Sequence, residues 1–224
     1  KLKQKIGFNL FVTYVNYNTS SYSLAVLEHI KSLPSDIIKT VKDAKIDPQY
    51  NFESEARSLR YSIFRDIAKA NKIKYTFTAH HMIDQLETLI MKFVDGSDLI
   101  SMSGIRSKIN SIYRPFLKID KKIIKDYTKK HNIFYFKDPS NQDISFRRNK
   151  IRKILTPVII NDTFLLSKIK RMNKQSIYLI KKSNKVIIED LKHSVIESSN
   201  DLGFVSINLD RLKNYDMTLL KLFL

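Results

Sequence analysis

The chain has 224 residues, 43% of them apolar, with four glycines, five prolines and no cysteine. That length and apolar share fit one medium domain, or one with a small appendage, and the scarcity of Gly and Pro implies short loops. The absence of cysteine excludes disulfides, thiolate zinc sites, iron–sulfur clusters and cysteine nucleophiles. Forty Lys and Arg against 22 Asp and Glu give a formal charge of +18, which points to a polyanionic partner. Nucleic acid ranks ahead of an anionic membrane surface. The abundance of Lys, Asn, Ile and Tyr is also what an A/T-biased genome produces, so charge alone is a weak warrant. No apolar stretch approaches the ~20 residues that cross a bilayer. Residue 1 is Lys and strand-like sequence begins almost at once, so a piece of a longer domain is expected, and a missing targeting segment is no evidence about location.

Taken in chain order, Phe8 to Tyr17 (FNLFVTYVNY) mixes aromatic and β-branched residues and predicts a buried strand. Ser20 or Ser21 can cap a helix to about Ser32, closed by Pro34, and Asp36 to Val41 reads as a short strand. Asn51-Phe-Glu-Ser-Glu places acidic residues at a helix N-terminus. Phe52, Ala56, Leu59, Ile63, Ile67 and Ala70 then recur at helical spacing, with Arg57, Tyr61 and Arg65 on the other side. Ile73 to Thr78 predicts a strand and Met82 to Val94 a helix. This alternation argues for an α/β fold, a parallel sheet with helices on both faces. Ligands in such sheets gather at the carboxyl ends of strands, here Val15-Asn16-Tyr17-Asn18 and Ala79-His80-His81.

Beyond Gly104 the pattern changes. Tyr113-Arg-Pro-Phe-Leu is extended, Asp120 can cap a helix to about His131, and Ile133 to Phe136 reads as a short strand before the polar turn DPSNQD. A basic helix is predicted from about Ser145 to Leu155, stopping before Pro157. From Asn161 or Asp162 one long helix, or two, runs to about Glu197, and Gly203-Phe-Val-Ser-Ile suggests a terminal strand or turn. A boundary near Thr156 to Asn161 would divide an α/β domain, residues 1–157, from a helical arm, residues 158–224.

Three segments carry chemistry. Thr78 to Thr88 (TAHHMIDQLET) passes from a strand end into a helix, where backbone amides and the helix dipole suit phosphate. His81, Asp84 and Glu87 or Thr88 share a helix face there, placed to hold Mg²⁺ against a polyphosphate or to move protons. Two adjacent histidines could equally cap the helix. Lys137 to Arg152 joins a tight Asp-Pro-Ser-Asn turn to a helix bearing Arg147, Arg148, Lys150, Arg152 and Lys153. Arg148 and Arg152, four apart, point the same way as bidentate phosphate donors, although a solvated basic face explains the run about as well. Glu53 to Tyr61, taken alone, is ordinary helical charge patterning.

The ordered set VNYN, ExxARxxRY, TAHHxxDQxET, RPxL and DPSN with RRNKIR, from about residue 10 to 158, resembles the signature of the tRNA(Ile)-lysidine synthetases, within the PP-loop ATP pyrophosphatases. The resemblance implies an adenine nucleotide alpha hydrolase-like domain followed by a helical region. It implies that ATP with Mg²⁺ adenylates the C2 oxygen of the wobble cytidine of a tRNA(Ile) with a CAU anticodon, and that L-lysine then displaces AMP. On this chain Val15, Asn16, His80 and Arg114 would lie near ATP. His81, Asp84 and Glu87 would be catalytic, with Asp84 the Mg²⁺ ligand. Arg57, Arg60 and Tyr61 would border the substrate pocket. Ser140, Asn141, Arg148, Asn149 and Arg152 would meet triphosphate or RNA backbone.

The resemblance also implies a bacterial cytoplasm, or an organelle of bacterial origin, with no membrane partner, and relatives of this kind commonly form homodimers. The chain departs from the pattern in four places. The S-G-G-x-D-S loop is absent and is expected just upstream of Lys1, after a further strand. HVNH reads Tyr14-Val-Asn-Tyr17, position 83 is Ile rather than a second acid, and RGSG is replaced by Asp95-Gly-Ser97. These 224 residues alone are therefore not expected to hydrolyse ATP efficiently. Other PP-loop tRNA-modifying enzymes are the alternative. Thiolases of the group typically use cysteines, which this chain lacks, and GMP- or NAD-synthetase-like amidation leaves the basic late helix without a role. A catalytically degenerate, tRNA-binding relic of the fold is the remaining reading.

Overall fold

A computed structural model describes residues 6–17, 21–46, 52–199 and 204–207, with side chains described for these except at 21, 52, 53 and beyond 183. The chain divides into two compact units: Lys1–Glu87 with Arg106–Leu155, and Thr88–Ile105 with Thr156–Leu224.

In the first unit, β1 (Phe11–Asn16) is shorter than its aromatic and β-branched run. Helix α1 (Ser21–Ser32) links it to β2 (Ile38–Asp43), and the two strands pair in parallel from Phe11↔Ile38 to Asn16↔Asp43. Helix α2 (Phe52–Ala70) turns Ala56 and Ile67 inward, while Ala70, read as part of the apolar stripe, is exposed. Its end is a Schellman turn: Ile73 N–H donates to Ala68 O, Lys72 N–H donates to Lys69 O, and Lys72 sits at φ 52°. A lysine in this left-handed position is strained where glycine is not, by about 1 kcal/mol. Lys72→Gly is therefore expected to raise the melting temperature by roughly 2–4 °C in a thermal scan.

The strand expected at Ile73 to Thr78 is only β3 (Thr76–Phe77). It pairs in parallel with β5 (Ile112–Tyr113), which pairs antiparallel with β4 (Lys108–Ile109) across a turn where Asn110 takes φ 51°. The parallel α/β class holds, but among the described residues the strands form separate sheets, β1–β2 and β3–β5–β4. A cavity of about 810 Å³, lined by Phe11 and Thr13 of β1 and Thr76 and Phe77 of β3, lies where a ladder joining them would run. Between β3 and β4 comes helix α3 (Met82–Val94).

Asp120 caps helix α4 (Lys121–Lys130) as the sequence suggests, accepting from Lys122 N–H at 2.7 Å. The strand expected at Ile133 to Phe136 does not form; the segment lies outside any described sheet. The polar turn is a 3₁₀ segment, Pro139–Gln142, capped by Asp138, which accepts from Ser140 N–H at 2.9 Å. Helix α5 (Arg147–Asn161) does not stop before Pro157 but runs through it. Proline removes one N–H from the ladder, and the exposed site leaves the orphaned carbonyl to water. The chain breaks instead at Asp162, whose carboxylate accepts from Leu165 N–H at 3.0 Å and starts the next helix.

The second unit holds the long helix α6 (Thr163–Ser194) and the short 3₁₀ segment Ser101–Ser103. Asn173 donates to the carbonyls of Met102 and Ser103 at 2.8 and 3.0 Å, and fully buried Ser176 donates to Ile100 O at 2.7 Å. Asp95-Gly96-Ser97 closes α3 as a Schellman turn: Ser97 N–H donates to Lys92 O, Gly96 N–H donates to Phe93 O, and Gly96 lies at φ 63°. The helix expected to reach Glu197 ends at Ser194. Strands β6 (Val195–Ser199) and β7 (Phe204–Ile207) pair antiparallel beyond it. Gly203, Asn18 and Ser20 lie outside the described residues. No helix of the described residues is long and apolar enough to cross a membrane.

Candidate functional site

The site grows from the junction of β3 and α3. Thr78 N–H donates to Tyr113 O, which fixes the strand end, and Met82 N–H donates to Ile119 O, which fixes the first residue of the helix. His81 then occupies the N-cap position. Asp84, three residues on, accepts from His81 N–H at 2.8 Å, the returning half of a capping box.

Asp84 does more than cap. Its other oxygen accepts from Arg148 Nη2 at 3.1 Å, while Arg148 Nε donates to Glu87 at 2.9 Å. Arg152 donates to both oxygens of Glu87, through Nε at 2.6 Å and Nη2 at 3.0 Å, a bidentate fork. The Glu87 side chain is 1% exposed, against 19% for Arg148 and 28% for Arg152. The two arginines therefore do share one helix face, as their spacing suggests, and that face packs on a buried anion rather than facing solvent.

The Asp-Pro-Ser-Asn turn completes the cluster. Buried Asn149 donates to Ser140 O and Asp143 O, each at 2.8 Å. Arg152 Nη1 donates to Asn141 Oδ1 at 2.9 Å and to Asn149 Oδ1 at 3.2 Å. In this structure Ser140, Asn141 and Asn149 tie the turn to α5 and hold Arg152. Asp138 and Asp143, which shape that turn, were not singled out in the sequence. Their signal was present, since each lies two residues before a Ser N–H that it caps.

A second group surrounds Tyr61. Arg114 is 3% exposed, donating through Nη1 to Arg106 O at 2.7 Å and through Nη2 to the Tyr61 hydroxyl at 3.0 Å. Arg57 lies over the same ring, 5.3 Å from its centroid. Arg60 is exposed, and its charge partly offsets the burial that raises the pKa of Tyr17. Among the described residues, two buried side-chain polar atoms lack a hydrogen bond, Arg114 Nε and His81 Nδ1. His81 Nδ1 lies 3.3 Å from Asp84 without meeting hydrogen-bond geometry. Buried polar atoms left so cost about 1–3 kcal/mol each, and they are places where a ligand atom would be welcome.

His80 connects the two groups. Its Nδ1 is 2.9 Å from Thr78 Oγ1, and burial lowers its pKa to about 4. Asp84 opposes that shift, while Arg114, Arg57 and Arg148 reinforce it. Burial lowers His81 as well. Both imidazoles are thus neutral near pH 7. The folded chain resists protonation while the unfolded chain accepts it near 6.5. The stability present above pH 6.5 is therefore lost progressively as pH falls towards about 4, and the loss levels off below that. His80→Gln is expected to narrow this acid-side decline in thermal scans across that window.

Val15 and Asn16 lie apart from these contacts, at the carboxyl end of β1, both buried. Asn16 donates to Asp43 Oδ1 at 2.9 Å, a partner set by strand register and invisible in the linear sequence.

The donor set discriminates between possible ligands. Four arginines and two neutral imidazoles suit a polyanionic nucleotide or RNA phosphate. Each oxygen of Asp84 and Glu87 accepts from a protein donor. Asp84 as a Mg²⁺ ligand and Glu87 as a proton-transfer group remain proposals beside these contacts. Glu87, enclosed between two guanidiniums, serves as their anchor.

Among curated proteins the chain is similar to the tRNA(Ile)-lysidine synthase of Lactiplantibacillus plantarum, 32% identical over 117 residues, covering 50% of this chain and 26% of that protein. It is similar to that of Treponema denticola, 32% identical over 170 residues, covering 71% and 37%. The corresponding protein of Bacillus licheniformis is 30% identical over 175 residues, covering 75% and 36%. The chain thus spans about a third of the length of the curated relatives it matches. The sequence profile of the PP-loop domain matches residues 1–159, which takes in both residue groups described above. With that match goes the adenine nucleotide alpha hydrolase fold, parallel strands between helices, here followed by a helical C-terminal region. The chain belongs to the PP-loop domain family.

Proposed function

We propose that this chain provides the catalytic residues of an ATP-dependent ligase that attaches lysine to C2 of the wobble cytidine in a tRNA(Ile) with a CAU anticodon. The observation that carries the reading is the buried carboxylate–arginine network at the start of α3, in a chain whose curated relatives bear the name tRNA(Ile)-lysidine synthase. ATP, as co-substrate, supplies the adenylyl group: cytidine O2 bonds to the α-phosphorus and pyrophosphate leaves. The lysine amine then bonds to C2, loses a proton, and AMP departs with the former O2.

The residues have distinct tasks in this scheme. Glu87 and Asp84 fix the Arg148 guanidinium through Nε and Nη2, leaving Nη1 without a described protein acceptor. That nitrogen is the donor for a phosphate oxygen of ATP or of the RNA backbone. The amides at the start of α3 add a positive potential for the same charge. His80, neutral near pH 7, can hydrogen bond to an adenine or cytosine edge without adding charge. Arg57 and Arg114, stacked about Tyr61, form the wall against which an unstacked base would rest. The setting is a bacterial cytoplasm or an organelle interior of bacterial origin.

The decisive experiment incubates the full-length protein with ATP, Mg²⁺, radiolabelled lysine and a CAU-anticodon tRNA(Ile) transcript. Incorporation that requires both ATP and the wobble cytidine is expected. Absence of incorporation alongside tight tRNA binding would replace this reading with that of a catalytically silent tRNA-binding protein.

A further inference from the structure

Helix α4 and the segment after it are built unlike the rest of the first unit. Residues 121–137 contain six lysines against one aspartate. Helix α4 buries none of its residues, and Ile123, Tyr127, Ile133, Phe134 and Tyr135 are all exposed. Single exposed apolar residues are commonplace, but five within thirteen positions, interleaved with lysine, are not.

The rings are held rather than loose. Tyr127 packs against His131 with centroids 4.3 Å apart and the rings tilted by 47°. Phe134 meets Phe136 edge-on at 4.9 Å and His29 at a tilt at 5.3 Å, and Phe136 meets Tyr22 edge-on at 5.7 Å. Edge contacts fix the plane of Phe134 yet leave it 64% exposed. The two groups are close, since the three residues from His131 to Phe134 span at most about 11 Å.

We propose that this surface is a stacking platform for unpaired bases of an RNA strand, with the lysines of α4 carrying the adjoining phosphates. Fixed aromatic planes beside mobile cations are the two elements that single-strand recognition needs. A docking face for a protein would be depleted of lysine. A face lying in a lipid surface would show a continuous apolar stripe, whereas α4 offers only Ile123, Ile124 and Tyr127. The inference rests on the reading of the chain as acting on tRNA and adds a contact surface outside the arginine–carboxylate site.

The chain contains no tryptophan, so Phe134→Trp introduces a unique fluorophore at an exposed position. Titration of that variant with oligouridylate is expected to quench its emission saturably, while blunt duplex RNA of equal length leaves it unchanged. Phe134→Ala should weaken oligouridylate binding about 5- to 100-fold by anisotropy. Lys125→Glu with Lys129→Glu should weaken it at least roughly ten-fold and flatten its salt dependence. Tyr127→Trp serves as a second reporter. Unchanged emission from both reporters while anisotropy still shows RNA binding would overturn the platform. So would a response only to phosphatidylserine vesicles or only to rising protein concentration. Failure of the lysine-incorporation assay with quenching intact would overturn the ligase reading and leave the platform standing.

Discussion

Glu87→Ala is expected to destabilise the fold by about 3–5 kcal/mol and to lower the melting temperature by roughly 6–20 °C. The carboxylate is fully buried and answers two guanidiniums, accepting three hydrogen bonds of 2.6 to 3.0 Å. Its removal leaves Arg148 and Arg152 part-buried without their shared counter-charge, and opens a void where α3 and α5 meet within the first unit. The double replacement Arg148→Met with Arg152→Met on the Glu87→Leu background tests the cause. If the penalty is that of unpaired charge, the apolar triple variant regains much of the lost stability. If the triple variant is no more stable than Glu87→Ala, packing rather than charge sets the cost.

Local signals made much of the fold legible. Helices α2 and α3 announce themselves by periodicity, Asp120 by its capping position, and β1 by its aromatic and β-branched run. Features decided by distant residues were not legible. Pro157 looks like a helix stop, yet helical packing carries α5 past it to a better capping residue, Asp162. Ile133 to Phe136 has strand composition, but composition cannot supply a ladder partner.

The same division holds at the candidate site. Spacing alone placed Arg148 and Arg152 on one face, and helix position alone placed His81 and Asp84 together. Nothing local reveals that Glu87 meets Arg148 and Arg152, because they lie 61 and 65 residues away in the chain. Nor does the sequence show Arg114 beneath Tyr61, 53 residues off. Motif resemblance located these residues without their geometry. The structure turns a list of polar positions into an anchor, a positioned cation and a capped helix.

Asp84→Asn in the full-length protein is expected to lower lysine incorporation about 10²–10³-fold, with tRNA affinity changed less than about three-fold. Asparagine keeps the volume and can still accept from His81 N–H, so the start of α3 and its cap survive. What is lost is the anion that holds Arg148 Nη2 at 3.1 Å. With Glu87 alone, the guanidinium keeps its Nε contact but can swing about it, and Nη1 no longer points at a fixed place. A developing negative charge on a phosphate oxygen would then meet a donor that must first reorganise. Asp84→Ala removes cap and anion together, so it should add a stability loss of about 0.5–2 kcal/mol to the same loss of turnover. The comparison separates the two roles. Turnover close to wild type in Asp84→Asn but lost in Asp84→Ala would make Asp84 a helix cap only, and Arg148 would then need no orienting partner beyond Glu87.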